Sequence, residues 1–259
     1  MENNILSIMM AILPVFLYSF LVYYMVPERY LSQRRAKMYV VVGLISPTLV
    51  YVFNYIFPTW GTQIMSNNPI TVFGFQSFFQ VALIEESAKF LTFWWLFSQR
   101  KNAIHDLPIA VMYYSMMSSA GFALLENITY LMNFGDQVLF ARAITAILTH
   151  LVCGIMMGYY LQFAICFKKV LVEKYTVFEK TKIRLHKIKY TIMGIGMATI
   201  FHGIYDFNLF LPFNAYADIF VFIIIFLGLF IGKFMISDAV RLSKELRMNN
   251  YKKDLELRH

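Results

Sequence analysis

A chain of 259 residues that is 59% hydrophobic, 18% aromatic and only 15% charged is too apolar for an ordinary soluble domain, whose charged share is nearer ~25%. An integral membrane protein is expected instead. The net charge of +8 would suit a nucleic-acid partner, but apart from Lys89, Arg142 and Lys233 every Lys and Arg falls in four stretches: 27–37, 98–107, 167–189 and the tail after 238.

Apolar runs predict about seven membrane helices, at 4–26, 38–57, 71–97, 108–133, 139–166, 190–211 and 216–237. The basic stretches alternate with connections at 58–70, 134–138 and 212–215 that carry no Lys or Arg. The positive-inside rule then sets the N-terminus outside and the C-terminus in the cytoplasm, with the basic side against anionic inner-leaflet lipid. Topology thus explains the charge without nucleic acid. The expected fold class is all-α, a polytopic transmembrane helix bundle in which 1–259 is one membrane domain.

In chain order, the first span follows Met1-Glu2-Asn3-Asn4, which lacks the positive charge of a signal peptide, and no small-x-small cleavage site follows it. We expect a retained helix. Pro14 and Pro47 are tolerated in membrane helices, and Trp60 is expected to anchor at the interface.

The third span carries Glu85-Glu86-Ser87-Ala88-Lys89 near its midpoint. A charge at that depth costs at least ~2.5–3.5 kcal/mol, so it points to a partner or a use. Lys89 is i+4 from Glu85 and i+3 from Glu86, within reach of either. Neighbouring helical positions point about 100° apart, so one carboxylate can pair with Lys89 while the other faces a cavity. The alternative is a neutralised pair that merely tolerates burial, and the surplus carboxylate argues against it.

The fourth span contains Ser118-Ser119-Ala120-Gly121, small enough for a neighbouring helix to approach closely, and then Glu126-Asn127. These two suit inter-helix hydrogen bonding at least as well as direct chemistry. The fifth span brings Arg142 near its outer end and His150 close to mid-depth. On a straight helix they lie about 80° and ~12 Å apart, which assigns them different partners, although Arg142 is within reach of Glu126. Cys153 and Cys166 share this helix about 20 Å apart and cannot bridge each other.

The basic stretch 167–189 is expected to be a cytoplasmic loop, with an amphipathic segment on the membrane as one possible form. His105, His186 and His259 lie in polar surroundings and are expected to be solvated. In the sixth span His202 and Asp206 share a face at i,i+4, where a carboxylate can fix an imidazole's tautomer and raise its basicity. The seventh span is read as packing.

Four helices therefore aim ionisable groups at one layer, the pattern of a buried aqueous site. No His-Glu-x-x-His, Gly-x-Ser or Gly-x-Gly-Asp motif is present, which disfavours zincin, rhomboid-like and aspartyl intramembrane chemistry. What remains is hydrolysis by carboxylate and histidine, in which a Glu takes a proton from water and a His or Asn steadies the oxyanion.

The ordered set Glu85-Glu86-x-x-Lys89, Gly121-x-x-x-x-Glu126-Asn127, Arg142 with His150, and His202-x-x-x-Asp206 resembles the motifs of the PrsW family. These are bacterial glutamic-type intramembrane proteases that make the first cut in membrane-bound anti-sigma factors, related to the CAAX prenyl endopeptidases and Abi proteins. The resemblance covers roughly residues 70–210. It departs at Ser118-Ser119-Ala120-Gly121, where the family's lead-in is richer in glycine, and at Tyr205, where Trp is expected.

The resemblance implies that Glu85 or Glu86 activates water, with His150 and His202 lining the site. Lys89, Glu126, Asn127, Arg142 and Asp206 would support the site or position substrate. It implies a membrane-anchored protein substrate. The sequence does not settle whether a metal takes part, because Glu and His together can also hold zinc; we expect no cofactor. A catalytically silent scaffold, a proton- or ion-coupled transporter and a CAAX-type endopeptidase are the alternatives. The presence of both Glu85 and Glu86 disfavours the first, the absence of an internal repeat the second, and a bacterial context the third.

Overall fold

A computed structural model describes residues 5–27, 30–57, 68–99, 107–166, 177–211 and 217–256. Among these residues every regular element is helical. In order they are α1 (Ile5–Met25), α2 (Gln33–Ile56), α3 (Pro69–Phe75), a π-helical turn (Gln76–Ala82), α4 (Leu83–Ser98), α5 (Pro108–Phe134), a 3-10 turn (Asp136–Val138), α6 (Leu139–Ile144), α7 (Ala146–Cys166), α8 (Val177–Phe210) and α9 (Ala217–Glu256).

Local chemistry sets several boundaries. Asn68 accepts a hydrogen bond from the Ile70 amide at 3.0 Å, with Pro69 in the first turn of α3. Pro108 opens α5 after an extended Leu107. Gly135 ends α5 at φ 78°, a backbone region open to glycine without steric cost. Ser77 donates to the Phe73 carbonyl at 2.8 Å, a back-bond that competes with the regular ladder where it loosens into the π-helical turn.

Among the described residues, five segments are long and apolar enough to cross a membrane: Ile5–Met25, Gln33–Ile56, Pro108–Phe134, Asp136–Cys166 and Asp218–Met248. The segment ending in α4 carries Glu85, Glu86 and Lys89 at its middle, and α8 joins a basic first half to an apolar second half. The helices also outrun their apolar parts. Three expected loop residues, Arg34, Arg35 and Lys37, lie within α2, the expected loop 167–189 is helical from Val177 onward, and the tail after 238 continues α9 to Glu256. Lys, Arg and Glu are good helix formers, so the helix persists where hydropathy stops. The greater part of the expected connections 58–70, 98–107 and 212–215, with Trp60, His105 and His259, lies outside the described residues.

α5 is the hub, buried along most of its length and packed chiefly against α7 and α2. Small residues permit this closeness, as the run at 118–121 suggested. A methyl at Gly43 or Gly121 would overlap a backbone carbonyl oxygen of the facing helix, and one at Gly158 would come within 2.6 Å of the Met112 Cα. Tyr39 stacks between Phe93 and Tyr114, with ring centroids 5.2 and 5.0 Å away. By contrast, α1 and α9 expose rows of large apolar residues, among them Phe16, Leu17 and Phe20 on α1 and Phe222, Phe226 and Phe230 on α9. Such faces would drive aggregation in water and suit lipid.

His186 is not a plainly solvated residue. It is half-buried in α8, its ring 4.5 Å from that of Tyr190 one turn on. Asp238 on α9 accepts a hydrogen bond from Tyr159 at 2.9 Å, consistent with a packing role for that helix.

Candidate active site

Glu85, Glu86 and Lys89 lie in the first two turns of α4, directly after the π-helical turn. Lys89 is 1% exposed and Glu86 fully buried. The Lys89 ammonium donates to Glu86 Oε1 at 2.7 Å and to His150 Nδ1 at 2.9 Å, lies 3.7 Å from Glu85 Oε2, and sits 4.1 Å from the Phe122 ring centre. A lysine in this setting needs every one of these contacts to offset its desolvation. Glu86 is thus the carboxylate paired with Lys89, while Glu85 is the one that lines a cavity of about 310 Å³ between α2, the π-helical turn, α5, α7 and α8.

His202, on α8, donates from Nδ1 to Glu86 Oε1 at 2.9 Å. Its Nε2 lies 3.4 Å from Asp206 Oδ2 and 3.9 Å from Glu85 Oε2, so the i,i+4 spacing does place Asp206 beside the imidazole. Glu85 Oε2 and Asp206 Oδ2 are buried without a hydrogen-bond partner among the described residues. Both residues line the cavity, and these two buried oxygens flank His202 Nε2 as acceptors with unused hydrogen-bonding capacity.

The second half of the site is built on Glu126. Arg142 Nη2 reaches Glu126 Oε2 at 2.7 Å, and His150 Nε2 reaches the same oxygen at 2.6 Å. Since Lys89 occupies Nδ1 of His150 as a donor, Nε2 carries the proton and donates to Glu126. Arg142 and His150 therefore share one partner, contrary to the expectation for a straight helix. The cause is a break at Thr145 (φ −124°, ψ −74°) between α6 and α7, which swings Arg142 back over the cavity.

Arg142 also donates from Nε to Asn127 Oδ1 at 2.9 Å and lies 3.6 Å from the Tyr130 ring centre. Asn127 Nδ2 in turn donates to the Ala11 carbonyl on α1 at 3.3 Å. Both ends of this fully buried amide are engaged away from the cavity, so Asn127 ties helices together and is not placed to steady an oxyanion.

All nine singled-out residues thus form one connected cluster. Sequence reasoning passed over three neighbours. Cys153 lies on α7 three residues after His150, a spacing that signals a shared face, and is buried near Glu86 and His202. Thr145 accepts from the Tyr205 hydroxyl at 3.0 Å beside the cavity. Phe122 packs against both Lys89 and His150; an aromatic in an apolar helix gave no advance signal.

A sequence profile described as "PrsW family intramembrane metalloprotease" matches residues 33–232. The chain belongs to the PrsW family. It is similar to Protease PrsW of Oceanobacillus iheyensis, 32% identical over 134 residues (52% of this chain, 54% of that protein), and to Protease PrsW of Bacillus subtilis, 32% identical over 135 residues with the same shares. Protease PrsW of Geobacillus kaustophilus is 29% identical over 136 residues, 52% of each chain. The chain spans about half the length of these relatives. No solved structure matches it.

The description of the PrsW family as metalloproteases implies a metal ion. Glu85, His150 and His202 offer a carboxylate oxygen and two imidazole nitrogens within 4.8 Å of one another, the two-His, one-carboxylate kind that holds catalytic zinc. The unpartnered Glu85 Oε2 suits a ligand atom. His150 is the constrained member, because Nδ1 is engaged by Lys89 and Nε2 by Glu126; to join, it must release one of them. In kind, the residues fit a zinc-like ion.

Proposed function

We propose that this PrsW-family protein is an intramembrane peptidase that hydrolyses a peptide bond in a membrane-anchored protein, with first-site cleavage of an anti-sigma-factor-like substrate as its reaction. The observation that carries the reading is Glu85, a buried carboxylate facing the cavity with an unpartnered oxygen beside His202 and Asp206. Glu85 takes a proton from water, and the resulting hydroxide attacks the peptide carbonyl. His202 Nε2, across from Glu85, is the group placed to assist proton transfer or steady the oxyanion. Glu86 neutralises Lys89 and orients His202, while Arg142, Glu126 and Asn127 brace the cavity.

A second reading keeps the same residues around a divalent metal, favoured by the clustered donors of Glu85, His150 and His202. Such an ion, when bound, supplies Lewis acidity toward the carbonyl. In both readings we place the site in a single membrane domain of seven spans, N-terminus outside.

The test is cleavage of co-expressed single-span anti-sigma factors by wild type, Glu85→Gln, Glu86→Gln and His202→Ala. Loss of at least 100-fold in Glu85→Gln at normal membrane abundance is expected. Unchanged cleavage in all three variants would overturn the catalytic assignment. Activity that survives exhaustive chelation, with no metal in the purified protein, decides for the metal-free reading.

A further inference from the structure

A second cavity, of about 490 Å³, lies away from the candidate active site, between the C-terminal end of α1 and the middle of α9. Met25 of α1 with Ile236 and Val240 of α9 forms its apolar wall, and Lys233, Ser237, Arg241 and Lys244 form its polar wall. All of them fall outside residues 33–232, the part that matches the PrsW profile. The cavity is therefore built from segments beyond the shared core.

α9 changes character at this level. Phe230, Ile231 and Phe234 are exposed and apolar, as suits lipid, whereas Asp238, Arg241, Lys244 and Glu245 follow within three turns. Helical positions 233, 237, 241 and 244 fall within an arc of about 80°, so the polar wall is one face that runs from the lipid zone into the interface. Lys233 ends an uncharged run that begins at Ile219. From there its ammonium finds polar surroundings by bending its stem along the helix toward Ser237.

The charge around the cavity is unbalanced. No residue lining it is acidic. The nearby Asp238 and Glu245 both pair with Arg241, at 2.6 and 3.1 Å, and Asp238 also accepts from Tyr159. Lys233 and Lys244 make no ion pair or hydrogen bond among the described residues, and Arg241, with five N–H donors, has donors to spare. Uncommitted cations and a hydroxyl around a hollow with an apolar wall complement a phosphate that carries apolar chains. A soluble phosphate shares the headgroup chemistry but leaves the apolar wall uncovered.

We propose that this cavity binds the headgroup phosphate of an anionic phospholipid. Lys233, Ser237, Arg241 and Lys244 hold the phosphate, and the acyl chains lie along Met25 and the exposed apolar face of α9. The lipid joins α1 to α9, which each pack against α5 but scarcely against each other among the described residues. Neither the site nor its test depends on the peptidase reading.

The full chain in neutral detergent is titrated with fluorescently labelled phosphatidylglycerol, and the complex is challenged with unlabelled phosphatidylglycerol, phosphatidylcholine or inorganic phosphate. Phosphatidylglycerol should compete at least about tenfold better than phosphatidylcholine, and millimolar inorganic phosphate should not compete. Each basic residue contributes about fivefold to the attraction for anionic lipid, so Lys233→Gln combined with Lys244→Gln should weaken binding about 25-fold. Lys182→Gln combined with Arg184→Gln, which removes the same charge from exposed positions of α8, should leave binding within about twofold of wild type. Ser237→Phe keeps every charge but fills the hollow, and should weaken binding at least about fivefold. Competition by inorganic phosphate would assign the site to a soluble anion and overturn the lipid. No headgroup preference, equal losses in the two double variants, or full binding by Ser237→Phe would reduce the effect to diffuse surface charge and overturn the site.

Discussion

Replacing Lys89 with methionine probes the centre of the cluster, because it removes the cation while keeping an unbranched side chain of similar length. The ammonium is within 2.9 Å of both Glu86 Oε1 and His150 Nδ1, and Glu86 has no route to water. Lys89→Met leaves Glu86 as an uncompensated buried charge, which costs about 3–5 kcal/mol. At ~2–4 °C per kcal/mol for a chain of this size, the purified protein should melt about 6–20 °C lower. Adding Glu86→Gln removes the stranded charge, and an amide oxygen at position 86 still accepts from His202 Nδ1. The double variant should recover at least about 2 kcal/mol, the remaining deficit being the unserved His150 acceptor at roughly 1–3 kcal/mol. The cycle is read by thermal or denaturant unfolding in one detergent, wild type beside both single variants and the double. A double variant no more stable than Lys89→Met would refute the pairing of Lys89 with Glu86.

Three further outcomes follow from the packing. Arg142→Lys should not substitute for the native residue, because one ammonium cannot serve Glu126 and Asn127 in the manner of Nη2 and Nε; a loss of about 1.5–3 kcal/mol is expected by unfolding, and full retention of stability would disprove the bidentate brace. Gly158→Ala should cost about 1–3 kcal/mol by forcing α5 and α7 apart, whereas Gly196→Ala, where a methyl meets nothing within 4 Å, should be neutral or gain up to ~1 kcal/mol. Thermal shifts of equal size in the two variants would contradict the packing. Cys153 and Cys166 are buried, so a maleimide polymer should modify neither until the protein is denatured, as read by gel shift; rapid labelling of the folded protein would disprove their burial.

Much of the site was legible in the sequence, since charges are costly in lipid and helical spacing is a geometric rule. Glu85, Glu86, Lys89, His202 and Asp206 stood out because each interrupts an apolar run, and the i,i+3 and i,i+4 relations to Lys89 and Asp206 survive folding. The small residues ahead of Glu126 likewise announced a close helix contact. Other features depended on departures from a regular helix. The break at Thr145 brings Arg142 and His150 to one oxygen of Glu126, and no periodicity encodes a break. The choice between Glu85 and Glu86 rests on how α4 is rotated against α7 and α8 after a π-helical turn, which adds a residue per turn and resets the phase. Hydropathy also misjudged helix length at α2, α8 and α9, because it follows the bilayer rather than the backbone. Sequence alone determined that buried charges must meet and which helices carry them, because desolvation acts on each residue wherever it sits. Only the tertiary structure decided which atoms meet, because that depends on helix phase, crossing and breaks, which are fixed by packing between segments distant in the chain.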